Sequence, residues 1–483
     1  MVYSLRVPLA VVAAFALSVT ATLQDAGTVI ADVGRALGAT ELKTIQYSGT
    51  GFTYSFAQNY RPDVPYPKFH AKYSRAIDYE RGLAREETVR TQFENPPRGG
   101  GGQPLYTEAR AAGVVTPNSG WGGGALALTP HGFVKAAAGA APTISSRRLG
   151  SRAVTVISFT ARNQYRVEGY VNAQNLIERI DTWTANPILG DTLIQTTFAD
   201  YRAFDGVQFP TRIVQQQGGF PTLEVTVTDV RPGAAVNLQA PQAAAPQPAR
   251  AESQLIAPGI WYLTGTPEPN SQLVELRDYA VLIESSVSEG RALANLAEAR
   301  RLVPNKPIRY HLNTHHHGDH AAGVRAYVSE GVTIITHEMN RRFYEQTVLK
   351  NPHTLAPDAL ARNPRAASFV WVDDKYVLSD GTRTLEVYHV PNGHAANLLM
   401  GYIPQEKLLI ITDIFNDFGE PRPNDPPAGV VSPYYAALGT RVRQLKLEVE
   451  RIAPSHGRGT VSADVLWKAL QGKVQAPEAA GSR

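Results

Sequence analysis

The sequence predicts an α/β domain in the C-terminal half of the chain and, before it, a domain built mainly of antiparallel β-sheet. Residues 165–230 contain short β-branched and aromatic runs separated by Asn, Asp and Gly, which is typical of a meandering sheet. From residue 253 onward, strand-like runs alternate with helical patterns, which is typical of α/β architecture. Between the two lies 232–252, an Ala-, Pro- and Gln-rich stretch with the composition of a linker.

A length of 483 residues also favours more than one domain, since a single hydrophobic core rarely grows that large. We therefore expect a signal peptide over 1–21, a mainly β domain over 25–231, a linker over 232–252 and a catalytic α/β domain over 253–474.

The first residues resemble a secretion signal. Arg6 precedes an apolar run over 7–19, and Val19, Thr20 and Ala21 place small residues where a signal peptidase cuts. The chain has no cysteine, so it contains neither disulfides nor a lipid-modified Cys. We expect a periplasmic or secreted protein, with an uncleaved N-terminal anchor helix as the alternative.

The distribution of charge along the sequence indicates which kinds of partner to expect. The formal net charge is +4, and the arginines are spread along the chain without a block of like charge, which argues against nucleic acid. No internal stretch is apolar and long enough to cross a bilayer. We expect a small-molecule substrate and no stable membrane span after signal cleavage, and the oligomeric state stays open.

Strands are predicted for four segments of the N-terminal domain, namely 165–171, 174–183, 193–201 and 223–230. In the last of them, Leu223, Val225 and Val227 alternate with polar residues. The order of these strands resembles the curved-sheet domains of lipoprotein-sorting carriers. Two glycine-rich pieces, 98–102 and 120–124, are expected to form mobile surface loops.

In the C-terminal domain, strand and helix patterns follow one another in sequence. Strands are predicted over 272–276, 280–285, 308–313, 333–336, 385–390, 398–403 and 408–411. Helices are predicted over 290–302, 340–350 and 441–451.

The run His315-His316-His317-Gly318-Asp319-His320 directly follows the buried strand 308–313. Several imidazoles and a carboxylate packed into one short turn need a partner that coordinates them. Zinc suits imidazole and carboxylate ligands best. The end of a strand is also where α/β architectures collect their ligands.

Three further candidates, His394, Asp413 and His456, each flank an apolar strand-like run. Ligands brought together from the ends of distant strands are how a preorganised metal cage is built. His316 is expected to point away from the metal, because alternate residues of the turn face opposite ways. The other histidines of this half are expected to pack or to lie on the surface, and Glu284 is a candidate partner for a ligand imidazole.

These residues, in this order and in these strand settings, resemble the ligand set of the metallo-β-lactamase superfamily of hydrolases. The resemblance covers about 256–470. It implies an αβ/βα sandwich with the metals at one edge. It also implies which residues are ligands: His315, His317 and His394 at a first zinc, Asp319, His320 and His456 at a second, and Asp413 bridging both. An Asp at position 413, as the bridging ligand, favours the glyoxalase II and lactonase type of enzyme within this superfamily.

The resemblance further implies an exported zinc hydrolase in which a hydroxide bridging the two metals attacks an ester, lactone, thioester or amide, including a β-lactam. Asp319 is the ligand expected to orient the nucleophile. The alternatives are a mononuclear iron thiol or persulfide dioxygenase, and a lipid-binding or apolar-ligand-binding protein with a non-catalytic metal domain. Specificity is expected to lie in the loops 352–372 and 416–433.

Overall fold

The computed structural model describes residues 25–116, 124–161, 165–241, 247–284, 287–422 and 425–475. The expected signal peptide, 1–21, lies outside these ranges. Within them, no helix is long and apolar enough to cross a membrane.

The N-terminal domain is dominated by one antiparallel sheet, in which the described residues form eleven strands. Their order across the sheet is β4-β3-β2-β1-β11-β10-β9-β8-β7-β6-β5. The strands are β1 Thr44–Tyr54, β2 Lys68–Asp78, β3 Leu83–Gln92, β4 Ala109–Val115, β5 Thr143–Leu149, β6 Arg152–Ala161, β7 Tyr165–Val171, β8 Ile177–Asn186, β9 Gly190–Phe204, β10 Val207–Gln217 and β11 Phe220–Pro232. Nearly all neighbours in the sheet are also neighbours in the sequence, as in a meander.

Helices cover one face of this sheet. They are α1 Ala26–Leu37, α2 Gly124–Ala127 and α3 Pro130–Ala138. The Asp25 side chain caps α1 at its N-terminus, and Gly38 in the left-handed conformation ends it. The core between helices and sheet contains apolar side chains of both, among them Val33, Leu37, Phe133, Ile45, Tyr47, Phe209, Val225 and Val227. The predicted inward face of 223–230 therefore packs against the helices.

The C-terminal domain contains two sheets. Its strands, within the described ranges, are β12 Arg250–Ala257, β13 Ile260–Thr266, β14 Ser271–Glu275, β15 Ala280–Ile283, β16 Ile308–Leu312, β17 Thr333–His337, β18 Phe369–Val372, β19 Lys375–Ser379, β20 Thr384–His389, β21 Leu399–Ile403, β22 Leu408–Ile411, β23 Val430–Val431, β24 Arg451–Pro454, β25 Val461–Ser462 and β26 Lys473–Val474. The first sheet runs from β12 to β18 in chain order, and the second has the order β19-β20-β21-β22-β24-β25. β23 and β26 pair separately.

Its helices are α4 Glu289–Leu302, α5 Gly318–Ala321, α6 Val324–Ser329, α7 Arg341–Phe343, α8 Ala359–Arg362, α9 Pro433–Gln444 and α10 Ala463–Ala469. Side chains of both sheets form one core, for example Ile283 and Leu312 with Leu385 and Ile410. A second core joins α4 and α6 to the outer face of the first sheet, and a third joins α9 and α10 to the outer face of the second. The layers are therefore helix, sheet, sheet, helix, and the predicted sandwich preceded by a mainly antiparallel β domain is confirmed.

Two helix predictions were wrong. The helix expected over 441–451 lies earlier, as α9, because Ser432 accepts a hydrogen bond from the amide of Tyr434 and Pro433 begins the first turn. Arg451 instead begins the buried strand β24. The helix expected over 340–350 is divided into short α-helical and π-helical pieces, α7 and Tyr344–Val348.

The predicted linker, 232–252, begins where β11 ends at Pro232, but β12 already starts at Arg250. Arg250 and its neighbours pair with β13. The Arg291 side chain, which is fully buried, donates to the carbonyls of Arg250 and Leu263. The last residues of the predicted linker are thus part of the first sheet.

Candidate metal centre

The histidine-rich turn is held in place by the strand that leads into it. Asn313, directly after β16, is fully buried, and its amide donates to the carbonyl of His320 over 3.0 Å. The hydroxyls of Thr336 and Tyr344 both donate to the Asn313 amide oxygen. The first of these hydrogen bonds joins the start of the turn to its end, and the other two hold Asn313.

The remaining predicted ligands also stand on rigid local structure. Asn392 accepts from the backbone amide of His394 over 2.7 Å, which fixes the turn after β20. Asp413 follows β22 and has a positive φ of 54°, an uncommon conformation for a non-glycine residue. The amide of Asn270 donates to the carbonyls on both sides of His456, those of Ser455 and Gly457.

All these residues converge on the Asp413 carboxylate. Oδ2 of Asp413 lies 3.0 Å from Nε2 of His315, 3.1 Å from Nε2 of His320 and 2.9 Å from Nε2 of His394. Oδ1 of Asp413 lies 2.9 Å from Nε2 of His456. One carboxylate therefore faces four imidazoles from three segments of the chain, two of them in the histidine-rich turn.

Two groups of potential ligands share Asp413, and the ligand atoms within each lie within 4.8 Å of one another. The first cluster contains His315, His317, His394 and Asp413, and the second cluster contains Asp319, His320, Asp413 and His456. The structure thus brings together all seven residues proposed as ligands.

The chemistry of these atoms fits a metal. Nε2 of His315, His320 and His394 and Nδ1 of His317 are buried and form no well-aligned hydrogen bond, and the three Nε2 atoms have only the shared Asp413 carboxylate close by. Buried polar atoms in proteins are almost always satisfied, so a group of them pointing to one place requires a partner. Imidazole nitrogens arranged around a carboxylate are the donor set of a divalent transition metal.

The electrostatics of the first cluster favour neutral imidazoles. Burial and, to a lesser degree, the neighbouring His320 lower the pKa of His315 to about 3. Burial also lowers the pKa of His317 well below its ordinary value. Neutral imidazoles are the form that binds a metal.

The second cluster is more negative. Burial opposes the protonation of His320, but the carboxylates of Asp413, Glu284 and Asp319 raise its pKa well above the ordinary value. Burial likewise opposes the ionisation of Asp413, but His320 and His394 lower its pKa well below the usual range. This part of the site therefore attracts positive charge, whether a proton or a metal ion.

Glu284, the candidate partner for a ligand imidazole, is fully buried. Its Oε2 contacts Nδ1 of His320, and its Oε1 accepts from the hydroxyl and the amide of Thr314. Since Nδ1 faces Glu284, Nε2 of the same ring faces Asp413. Such a carboxylate fixes the orientation of the ring and strengthens it as a ligand.

The other histidines lie elsewhere. His316 turns away from Asp413 and contacts the Asn397 side chain at 3.1 Å. His311 stacks on Tyr327 with ring centroids 3.8 Å apart, and His337 accepts from the amide of Met339. None of these three belongs to either cluster.

Sequence reasoning missed residues of the N-terminal domain that contact the ligands. The Gln58 side chain donates to Oδ1 of Asp319 over 2.8 Å, and Nε2 of His317 lies 2.8 Å from the carbonyl oxygen of Asn59. Gly99 and Gly100 are buried and Gly100 lies against His394 and His317, whereas Arg98, Gly101 and Gly102 are exposed, so the glycine-rich piece 98–102 is only in part the surface loop that we expected. No local pattern around Gln58 distinguishes it from other loop residues.

A cleft of about 1160 Å³ opens onto the clusters. Its walls come from both domains, with Gln58 and residues between Gly101 and Arg110 on one side and residues between Asn416 and Tyr435 on the other. The second of the two loops expected to determine specificity, 416–433, thus contributes described residues to the lining. The first, 352–372, contributes none among the described residues, and the segment around 101–110 takes its place.

The helix-sheet-sheet-helix layers, with His and Asp side chains collected at the strand ends, define a metal-binding α/β sandwich. Residues 265–456 match the family model described as the metallo-beta-lactamase superfamily. This C-terminal domain belongs to that superfamily, which supports metal binding at the clusters.

Solved structures to which the chain is similar include several metallo-β-lactamases. They include the enzyme from Pontibacter korlensis, 19% identical, covering 46% of this chain and 97% of that one with a TM-score of 0.34. FIM-1 from Pseudomonas aeruginosa in its mono-zinc form is 18% identical, with coverage of 47% and 96% and a TM-score of 0.35. The enzyme from Hirschia baltica is 19% identical, with coverage of 46% and 96% and a TM-score of 0.34. Comparison with curated proteins finds no match.

Proposed function

We propose that this protein is an exported zinc-dependent hydrolase that cleaves an ester, lactone, thioester or amide bond, including that of a β-lactam. The observation that carries the proposal is the convergence of four imidazoles on the Asp413 carboxylate at 2.9–3.1 Å. Membership of the C-terminal domain in the metallo-beta-lactamase superfamily supports a metal-dependent hydrolase in general.

The first cluster would hold one zinc ion and the second cluster another, with Asp413 common to both. Bound zinc supplies Lewis acidity, which makes water a nucleophile near neutral pH and stabilises negative charge on a carbonyl oxygen. No serine or cysteine nucleophile is then needed.

The Asp319 side chain is placed to position the attacking water. Oδ2 of Asp319 lies 3.3 Å from Nε2 of His320 and 3.8 Å from Nε2 of His456, so this carboxylate lies at the edge of the second cluster. Asp319 is also about one third exposed and lines the cleft. From there it can orient an attacking water by accepting a hydrogen bond from it.

The cleft suits a small, polar substrate. Polar groups of the lining include Gln58, Asn416 and Ser432 beside the aromatic rings of Phe418 and Tyr435. A few polar groups among aromatic side chains are typical of sites that orient a small molecule.

The alternative function, lipid binding by the N-terminal sheet, would need a cavity beside that sheet, and the space there is small. Helices α1 and α3 fill the face of the sheet that such a ligand would occupy. The cavity left between Tyr47, Phe209 and their neighbours has a volume of about 20 Å³, which is less than one lipid chain requires. The reaction is therefore assigned to the metal centre.

A substrate panel tests this proposal. Zinc-loaded protein is assayed with an ester, a lactone, a thioester, a β-lactam and a phosphodiester, beside the variant Asp319→Ala. We expect turnover of at least one carbonyl substrate, and a loss of 100-fold or more in kcat in the variant, which corresponds to about 2.7 kcal/mol. Unchanged activity in a folded Asp319→Ala variant would refute the role of Asp319.

Export is a separate part of the proposal. The N-terminal sequence of the mature protein, recovered from a bacterial host with a periplasm, should begin close to residue 22. A chain that keeps residue 1 and stays in the cytoplasmic fraction would contradict it.

A further inference from the structure

A short segment of the N-terminal domain, 57–59 in the connection between β1 and β2, runs alongside the histidine-rich turn. Three consecutive residues of this segment each contact one of three consecutive residues of the turn. The carbonyl of Ala57 accepts from the amide of Gly318 over 3.0 Å. The Gln58 side chain donates to Asp319, and the carbonyl of Asn59 lies within hydrogen-bond distance of His317.

Each of the two side-chain contacts has a consequence for a ligand. Because Nε2 of His317 is engaged by the Asn59 carbonyl, Nδ1 is the nitrogen left to face the first cluster, and it makes no hydrogen bond. Because Oδ1 of Asp319 accepts from Gln58, Oδ2 is the oxygen directed toward His320 and His456.

The segment is itself held firmly. The amide of Gln58 donates to the carbonyl of Ser55 over 3.3 Å, and its carbonyl accepts from the amide of Gly100 over 2.9 Å. The Ser55 hydroxyl donates to the carbonyl of Gly101 over 2.8 Å. On the far side, the amide of Gly99 donates to the carbonyl of Gly393, next to the ligand His394.

The close approach requires a glycine at position 100. A β-carbon there would collide with the Gln58 amide oxygen and would lie 2.7 Å from Cε1 of His394 and 3.0 Å from Cε1 of His317. One glycine of the N-terminal domain is therefore in contact with two ligands of the first cluster and with Gln58 at once.

We propose that the N-terminal domain completes the metal centre, with Gln58 as a positioning residue that orients Asp319 and the Asn59 carbonyl fixing the ring of His317. The inference rests on the proposed function only in assuming that a metal binds at the two clusters. Residues that hydrogen-bond to a metal ligand typically raise the affinity for the metal 10-fold to 100-fold. We expect an effect of this size from the contact of Gln58 with Asp319.

The substitution Gln58→Met tests the role of Gln58 in the full-length chain, because methionine keeps the length and volume of the side chain but cannot donate. Zn²⁺ affinity is measured by competition with a chromogenic chelator, and Co²⁺ spectra report the geometry of each bound ion. We expect the weaker of the bound Zn²⁺ ions to lose at least 10-fold in affinity, with a changed Co²⁺ spectrum. The matched control is Gln174→Met, at an exposed glutamine in the turn between β7 and β8.

A second pair of variants tests the contact at position 100. Gly100→Ala should weaken Zn²⁺ binding at least 10-fold. Gly113→Ala in β4, where an added β-carbon meets no atom within 4 Å, should leave binding within 2-fold of wild type. Thermal unfolding of all four variants separates loss of fold from loss of metal.

The outcomes are distinct. If wild type binds Zn²⁺ and folded Gln58→Met binds it with the same affinities and Co²⁺ spectrum, Gln58 is not a positioning residue. The inference about Gln58 then fails, while the proposed function is unaffected. If Gly100→Ala also binds normally, the N-terminal domain does not complete the centre. If wild type binds no metal, the proposed function fails together with the inference.

Discussion

The carboxylate of Glu284 should determine much of the affinity of the second cluster for its metal. Glu284 is fully buried and contacts Nδ1 of His320, while Nε2 of that ring faces Asp413. The variant Glu284→Gln keeps the shape of the side chain and removes its charge. We expect Zn²⁺ affinity to fall 10-fold to 100-fold, which corresponds to about 1.4–2.7 kcal/mol at about 1.36 kcal/mol per decade.

The chain offers a matched control in Glu268, which faces Nδ1 of another ligand imidazole, that of His456. This contact is longer, at 3.6 Å, and the Glu268 side chain is 49% exposed. Solvent screens a charge in that position, so Glu268→Gln should lower Zn²⁺ affinity less than about 3-fold.

Chelator competition measures both variants under the same conditions, and thermal unfolding confirms that they are folded. The two carboxylates differ in burial and in their distance from the ligand imidazole, and the expected difference in affinity comes from these two properties. Wild-type Zn²⁺ affinity in Glu284→Gln, or an equal loss in the two variants, would refute this role of Glu284.

Three further predictions follow from other contacts. Asp413→Asn removes the only carboxylate common to both clusters and should lower total Zn²⁺ binding by at least 100-fold, measured by metal analysis after dialysis. Burial lowers the pKa of His131 to about 4, below its ordinary 6.5, so the unfolded chain binds the proton better and stability falls as the pH drops from about 6.5 to 4. His131→Gln should remove up to about 3 kcal/mol of this loss, which denaturant titrations at pH 7 and pH 4.5 would detect as a shallower pH dependence. Gly38→Ala combines a positive φ with a clash against the carbonyl of Gly206 and should destabilise the protein by about 1–3 kcal/mol, whereas Gly150→Ala, with a positive φ in open space, should cost about 1 kcal/mol; equal unfolding midpoints for the two would contradict this.

The metal ligands could be found from the sequence because each is marked locally. A His, or an Asp for residue 413, lies within a few residues of a strand-like run, and such runs become strands whose ends meet at one edge. Glu284 carries the same kind of mark at the end of β15. Alternating strand and helix patterns predicted an α/β domain, and the resemblance to the metallo-β-lactamase superfamily implied the sandwich.

The contribution of the N-terminal domain could not be found in this way. Gln58 lies 261 positions before Asp319, and a contact over that separation leaves no trace in the periodicity of either segment. The glycines of 98–102 were visible, but glycine marks a mobile loop and a close backbone approach equally well. Which of the two applies depends on the opposing surface, here His394 and His317.

The misplaced helix had a different cause. Ser432 and Pro433 form a strong start signal for α9, and they lie before the range 441–451 that was predicted as helix. Arg451 then enters a strand because Ile452 and Ala453 are needed in the sheet, where both are fully buried. Tertiary packing thus outweighed helix propensity at this position.

Metal analysis of the purified chain tests the central claim most directly, because every role assigned to Asp413 and the surrounding imidazoles depends on what they bind. The protein is purified without chelators, loaded with zinc, passed over a desalting column and analysed by elemental mass spectrometry together with its concentration. The account predicts two zinc ions per chain. A chain that retains no metal, or that is isolated with a single iron and consumes oxygen in the presence of a persulfide, would contradict it.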